Sequence, residues 1–186
     1  MTCPDLSRTP VFELPEAFGL RWYHPGDEQH WIAVHDLADL YNRTDATVFR
    51  EQFGEAEEAL PERQCYLVSP NGRFVGTATA WFGEFPEGTP RGRVHWVAIV
   101  PEFQGRGLAK PLLSTVCSRL RELGCESAYL TTDTARIPAL NLYWLFGFVP
   151  NLDTRKDRGA WQRLAASPDR FVQLKPALQT WLNQYL

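Results

Sequence analysis

The sequence predicts an α/β domain, a mixed central sheet flanked by helices. Cys65-Tyr66-Leu67-Val68 and the run 74–82 are extended segments on either side of Pro70-Asn71-Gly72-Arg73. Asn-Gly supplies the positive φ of a tight hairpin turn, so these two strands pair antiparallel. His95-Trp96-Val97-Ala98-Ile99-Val100 is apolar on both faces from residue 96 onward, which places that strand centrally with cover on both sides. Between it and a further strand at 128–132 stands an amphipathic helix with the stripe Leu108, Leu112, Val116, Leu120 and Leu123. Strand, helix, strand in that order makes a parallel, right-handed unit. An antiparallel hairpin joined to a parallel unit gives a mixed sheet.

The remaining elements follow in order. Residues 1–18 carry Pro4, Pro10 and Pro15 and read as an extended arm. A short strand over 20–24 stops at Pro25-Gly26. Asp27 is placed to cap a helix over 28–41, whose apolar positions recur at Trp31, Val34, His35, Ala38 and Tyr41. A second helix is expected over 46–60, with Val48, Phe49 and Phe53 inward and Pro61 as its stop. The central strand is expected over 93–100 and the long helix over 106–123, closed by Gly124. Pro111 lacks a helix N–H, so the regular helix must begin near Leu108. A short helix over 138–146 ends at Gly147, and Phe148-Val149 starts a further strand. A helix is expected over 157–165. Residues 168–175 read equally as an edge strand or a helix start, and 176–185 as a helix. This gives an arm over 1–18, one domain over 19–175, and a C-terminal helix over 176–186 packed on it.

Composition narrows the function. The chain has 186 residues, 44% hydrophobic and 22% charged, which suits one soluble domain. A net charge of −3 argues against nucleic acid or anionic lipid as partner. The four cysteines (3, 65, 117, 125) form no CxxC pair and the four histidines are scattered, so neither a metal site nor a disulfide framework is expected. No apolar run approaches the ~20 residues that span a bilayer, and the N-terminus lacks a signal-peptide core. The expected location is the cytoplasm.

Chemistry concentrates at Gln104-Gly105-Arg106-Gly107-Leu108-Ala109, between the central strand and the long helix. A helix start offers unpaired N–H groups and the positive end of the dipole, and glycines open the backbone to an anion. Arg106 and Lys110 add charge. The matching ligand is a phosphate or pyrophosphate. A Walker loop is absent, because Leu108 follows Gly107 and Pro111 follows Lys110; the dinucleotide fingerprint fails at Lys110. The pattern Q/R-x-x-G-x-G/A fits Gln104, Gly107 and Ala109. Together with Val100-Pro101-Glu102-Phe103 before it and Leu142-Tyr143-Trp144-Leu145-Phe146-Gly147-Phe148 after it, the segment resembles the GNAT acyltransferase superfamily. The likeness covers roughly 20–150 and suggests a single-domain member of bacterial type.

That resemblance implies an acyl-CoA N-acyltransferase-like fold. It implies transfer of an acetyl group from acetyl-CoA to a primary amine by direct attack in a ternary complex, with no metal. Backbone groups of Ile99 and Val100 would meet the pantetheine arm. Gln104, Gly105, Arg106, Gly107, Leu108, Ala109 and Lys110 would surround the pyrophosphate. Tyr143 matches the family tyrosine beside the CoA sulfur and would be the general acid; its alternative is a packed ring. His95 is the candidate base, against a hydrogen-bonded core histidine or a water in that role. Arg136 stands where the family often has Asn, which leaves the usual amide contact open; Asn141 is the nearby substitute.

The acceptor would be a small-molecule or peptide amine. Trp81, Phe82, Glu84, Phe85 and Glu87 offer aromatic walls and carboxylates for a cationic amine, although a solvated loop is the plainer reading. A homodimer is compatible with the aromatic-rich C-terminal segment. The competing readings are a non-catalytic acyl-CoA-binding module of the same fold and a nucleotide-binding domain.

Overall fold

The protein was analysed as a computed structural model, which describes residues 1–39, 43–83 and 91–186. The chain opens with strand β1 (Thr2–Cys3), then β2 (Gly19–Trp22) and helices α1 (Glu28–Ala38) and α2 (Ala46–Phe53). A 3-10 segment over Gly54–Ala59 leads into the one-turn helix α3 (Leu60–Arg63). The antiparallel strands β3 (Gln64–Val68) and β4 (Phe74–Phe82) follow, then β5 (Arg91–Ile99), α4 (Ala109–Glu122) and β6 (Ser127–Tyr129). Four helices complete the chain: α5 (Ile137–Leu145), α6 (Arg155–Ala165), α7 (Pro168–Phe171) and α8 (Pro176–Tyr185).

The six strands form one mixed sheet in the order β1-β6-β5-β4-β3-β2, with β5 interior and parallel to β6. The α4 stripe expected from its spacing is buried through Leu108, Leu112, Val116 and Leu120. On the opposite face, α1 and α2 close a second cluster of Trp31, Phe49, Phe53 and Tyr66. Among the described residues, no helix is long and apolar enough to cross a membrane, and no group of three or more His, Cys, Asp or Glu gathers as metal ligands.

Several local expectations are corrected. Residues 1–18 are not simply an arm: Thr2–Cys3 pairs antiparallel with β6, and Met1, Cys3 and Leu6 enter the core. Pairing there covers an edge that would otherwise expose open backbone groups. Asp27 does not cap α1 with its side chain. Its carboxylate instead accepts from the His24 N–H at 2.7 Å and from Arg21 at 2.5 Å, closing the Pro25-Gly26 turn. The helix over 46–60 breaks at Phe53, which itself leaves helical geometry (φ −131°, ψ −16°), and kinks again at Ala56 (φ −142°, ψ 36°). Pro61 starts α3 rather than ending a helix, since its missing N–H costs nothing in a first turn. Phe148-Val149 forms no strand, only a single bridge from Val149 to Thr2. Residues 168–171 are helical, so no edge strand forms before α8. Tyr41 lies outside the described residues.

Two irregularities around β5 open the site. Thr77 pairs with Ala98 and Thr79 with His95, so β5 carries one extra residue over that span. Trp96 absorbs it with φ of 50°, a left-handed conformation that costs a non-glycine residue about 1–2 kcal/mol. The second is the divergence of β5 from β6. Their pairing runs from Arg91↔Ser127 to Arg93↔Tyr129 and stops, while β5 continues to Ile99. Beyond Arg93 the two parallel strands part, and the gap leads toward the start of α4.

Candidate active site

The glycine turn has the geometry of an anion cradle. Gly105 and Gly107 adopt φ of 72° and 80°. A Cβ at either position would meet nothing within 4 Å, so the requirement for glycine is the positive φ and not local crowding. Among the described residues, the N–H groups of Gly105, Arg106, Gly107 and Leu108 donate to no protein acceptor. Leu108 is buried and anchors the turn to the core. Arg106 lies over the Phe103 ring at 4.7 Å and Lys110 over Phe12 at 5.2 Å, which keeps both cations beside the turn. Ala109 begins α4, and Pro111 falls in its first turn.

The side chain of Gln104 donates to the Ile99 carbonyl at 2.7 Å and ties the turn to the end of β5. The N–H of Val100 donates to Val75 at 2.9 Å, so Gly76↔Ile99 is a wide pair and the Ile99 N–H points away from β4, into the gap. Val100 differs from expectation. Its N–H is committed to Val75, which leaves no donor for an extended ligand, and its carbonyl already accepts from Phe103 at 3.0 Å.

Tyr143 projects from α5 and is only 8% exposed. Its hydroxyl has no hydrogen-bond partner among the described residues. Burial pushes the phenol up to about 12, partly offset by Arg136, so it stays protonated at neutral pH.

His95 is buried between α2 and β5, against Phe53 and Trp96. Gln52 of α2 faces it. The Gln52 oxygen Oε1 lies 3.0 Å from the Trp96 indole nitrogen and 3.1 Å from His95 Nε2. An indole N–H only donates, so the amide atom facing it is the oxygen. His95 Nε2 must then carry the hydrogen, which leaves the lone pair on Nδ1. Burial first, then Arg93 and His35, lowers the imidazole to about 3. Nothing in the sequence marked Gln52: it sits on a helix of mixed charge, and its role depends on a bulge that periodicity does not reveal.

Arg136 and Asn141 are engaged elsewhere. Arg136, at the start of α5, donates to both carboxylate oxygens of Asp39 at 3.1 and 3.0 Å, fastening α5 to the end of α1. Asn141 donates to the Gln173 carbonyl at 2.9 Å and accepts from the Lys175 N–H at 2.7 Å. Both ends of its amide hold the turn before α8. Trp81 and Phe82 are in place on β4; Glu84, Phe85 and Glu87 lie outside the described residues.

The second buried histidine, His35, is lowered to about 4 by burial, and its Nε2 is sealed without a partner. Both rings fold in the neutral form, whereas in the unfolded chain they take up protons below about pH 6.5. Stability should therefore fall as pH drops from 6.5 toward 4, by up to about 1.4 kcal/mol per pH unit for each ring. Urea midpoints at pH 7 and pH 5 measure this. His35→Phe should flatten the slope; an unchanged slope would mean that His35 is not held neutral.

The comparisons with known proteins agree with this geometry. The model of the Acetyltransferase (GNAT) family matches residues 17–148. Over 153 residues the chain is 31% identical to a mycothiol acetyltransferase of Arthrobacter sp., covering 80% of this chain and 47% of that protein. The chain thus spans about half the length of the mycothiol acetyltransferases it matches. Among solved structures, a GCN5-related N-acetyltransferase from Sphaerobacter thermophilus aligns with a TM-score of 0.57 at 23% identity, over 69% of this chain and 40% of that one. A NatC complex bound to Gag peptide and CoA aligns at 0.61 and 21% identity, over 72% of this chain and 86% of the matched chain. At these identities the structural matches establish the fold alone.

Proposed function

The chain belongs to the GNAT acetyltransferase family, and from that premise we propose that it transfers an acetyl group from acetyl-CoA to a primary amine by direct attack in a ternary complex. The observation that carries this is the row of four unpartnered N–H groups, Gly105 to Leu108, at the start of α4 and beside the gap between β5 and β6. A pyrophosphate satisfies them, and the helix dipole adds to the attraction. Arg106 and Lys110 supply the nearby positive charge. The pantetheine arm then runs along the splayed end of β5, where the inward Ile99 N–H is its first backbone partner. Val100, Arg136 and Asn141 take no part in this reading.

Tyr143 acts as the donor to the leaving sulfur. Against a free thiol near pKa 8.5, a phenol near 12 gives up its proton at a cost of roughly 5 kcal/mol. Desolvation at the same place raises the proton affinity of a thiolate too, which narrows that gap. His95 takes the amine proton at Nδ1. So weak a base works late, as the C–N bond forms and the nitrogen becomes acidic, so the amine must arrive neutral. Gln52 positions the ring by fixing its tautomer.

Gln52→Leu should lower kcat about 10-fold, less than the ~10²–10⁴-fold of a general base itself because the ring remains in place, without changing acetyl-CoA affinity. Gln52→Glu still accepts both hydrogen bonds and should recover most of the rate. Wild-type kcat in Gln52→Leu would reduce Gln52 to packing. The reaction itself is tested by thiol release from acetyl-CoA across amino acids, polyamines, aminoglycosides and peptide N-termini. Amine-dependent release is expected. Tight CoA binding with no release from any amine would favour the non-catalytic CoA-binding module.

A further inference from the structure

We infer that the acceptor amine carries a second, anionic group, held by Arg91 and Arg93 on the face of β5 that also presents His95. The inference rests on the acetyl transfer proposed above and names the class of its acceptor. Residues 91, 93 and 95 alternate along β5 and share one face, opposite Gly92 and Val94. A Cβ at Gly92 would strike Leu120 of α4, which identifies the other face as the α4 side. The two guanidinium groups lean on one ring, at 5.3 and 5.8 Å from the Tyr129 centroid. Arg93 sits in a rung between Tyr129 of β6 and Trp81 of β4.

Both arginines are half-buried, and the Nε atom of each is sealed without a partner. Neither makes an ion pair among the described residues. Arg21 and Arg119 also have a sealed Nε, but each reaches a carboxylate through its outer nitrogens, Asp27 and Glu122 respectively. The β5 pair thus stands apart: two like-charged residues spaced about 7 Å along one strand, walled by aromatic rings, with no ion-pair partner among the described residues. Planar guanidinium groups so placed match a carboxylate or phosphate through forked hydrogen bonds.

The anion cannot be that of CoA. Arg93 lies six residues before Ile99, about 20 Å along the strand, on the far side of His95 from the glycine turn. An acceptor whose anion rests on Arg93 instead brings its amine toward His95. The same contact would relieve the Arg93 charge that holds the imidazole proton affinity down.

The test is a calorimetric titration with inorganic phosphate at constant ionic strength, with CoA saturating so that the glycine turn is filled. Saturable binding is expected, at least 10-fold weaker in the double variant Arg91→Gln/Arg93→Gln, with acetyl-CoA affinity and Tm unchanged. Arg91→Lys/Arg93→Lys keeps the charge and should recover part of the binding. No saturable phosphate binding, or equal binding in the Gln variant, overturns the inference. Thiol-release assays extend the test. KM for amines bearing a carboxylate or a phosphate should rise at least 10-fold in the Gln variant, while KM for neutral amines holds. The more affected of the two classes identifies the natural anion. A wild-type preference for neutral or cationic amines overturns the inference and leaves acetyl transfer standing. Absence of acetyl-CoA binding sinks the acetyl-transfer reading instead; phosphate titration of Gly107→Asp, whose turn repels anions, still reads the arginines.

Discussion

Gly107→Asp should lower acetyl-CoA affinity at least about 100-fold, the result of placing a carboxylate where a pyrophosphate must sit. The substitution acts through charge rather than folding. Gly107 has φ of 80°, and Asp is among the few residues that tolerate this region. A Cβ there meets no neighbour within 4 Å, so the turn need not move. Gly107→Asn is the matched control: it carries the same conformational cost, about 1 kcal/mol, without the charge. Calorimetry should separate the two variants clearly. If Asp and Asn weaken binding equally, the N–H groups of the turn do not hold the phosphate.

Tyr143→Phe should reduce kcat about 100-fold and leave acetyl-CoA affinity within about two-fold, because general-acid help is felt in the transition state and not in cofactor binding. The variant should fold normally. The hydroxyl has no protein partner among the described residues, so its loss orphans nothing, and the ring keeps its contact with Phe148. Full activity in Tyr143→Phe would make the residue a packing ring and hand proton donation to water.

The elements with the strongest local signals were legible before the structure. The β4 strand runs over the expected residues because the Asn71-Gly72 turn sets its start. The α4 stripe and the two glycines of the turn follow from spacing alone; the positive φ of Gly105 and Gly107 is what the structure adds. What local pattern does not carry is competition for partners. Asn141 has the chemistry of a phosphate ligand, but the turn before α8 claims both ends of its amide. Val100 directly follows β5, and a one-residue offset from Ile99 points its N–H at Val75. Thr2–Cys3 became a strand because β6 had an open edge, a fact of the sheet rather than of residues 1–18. The Gln52 contact exists only because Trp96 takes up an extra residue opposite Thr77–Thr79. In each case the outcome was decided by tertiary geometry that no single-segment pattern contains.

The same contrast separates the two halves of the site. The proposed cofactor end is built from backbone groups at a helix start, which a short motif specifies. The proposed acceptor end draws on side chains of three strands and α2, chiefly Gln52, Trp81, Arg91, Arg93, His95 and Tyr129, which come together only in the folded sheet. Its chemistry is therefore readable from register and not from any contiguous stretch.

Calorimetric titration of the protein with acetyl-CoA, with ATP and NAD as comparison ligands, tests the central claim most directly. Saturable one-to-one binding of acetyl-CoA at tens of micromolar protein, lost in Gly107→Asp, is the expected result. Binding of ATP or NAD with none of acetyl-CoA would contradict it.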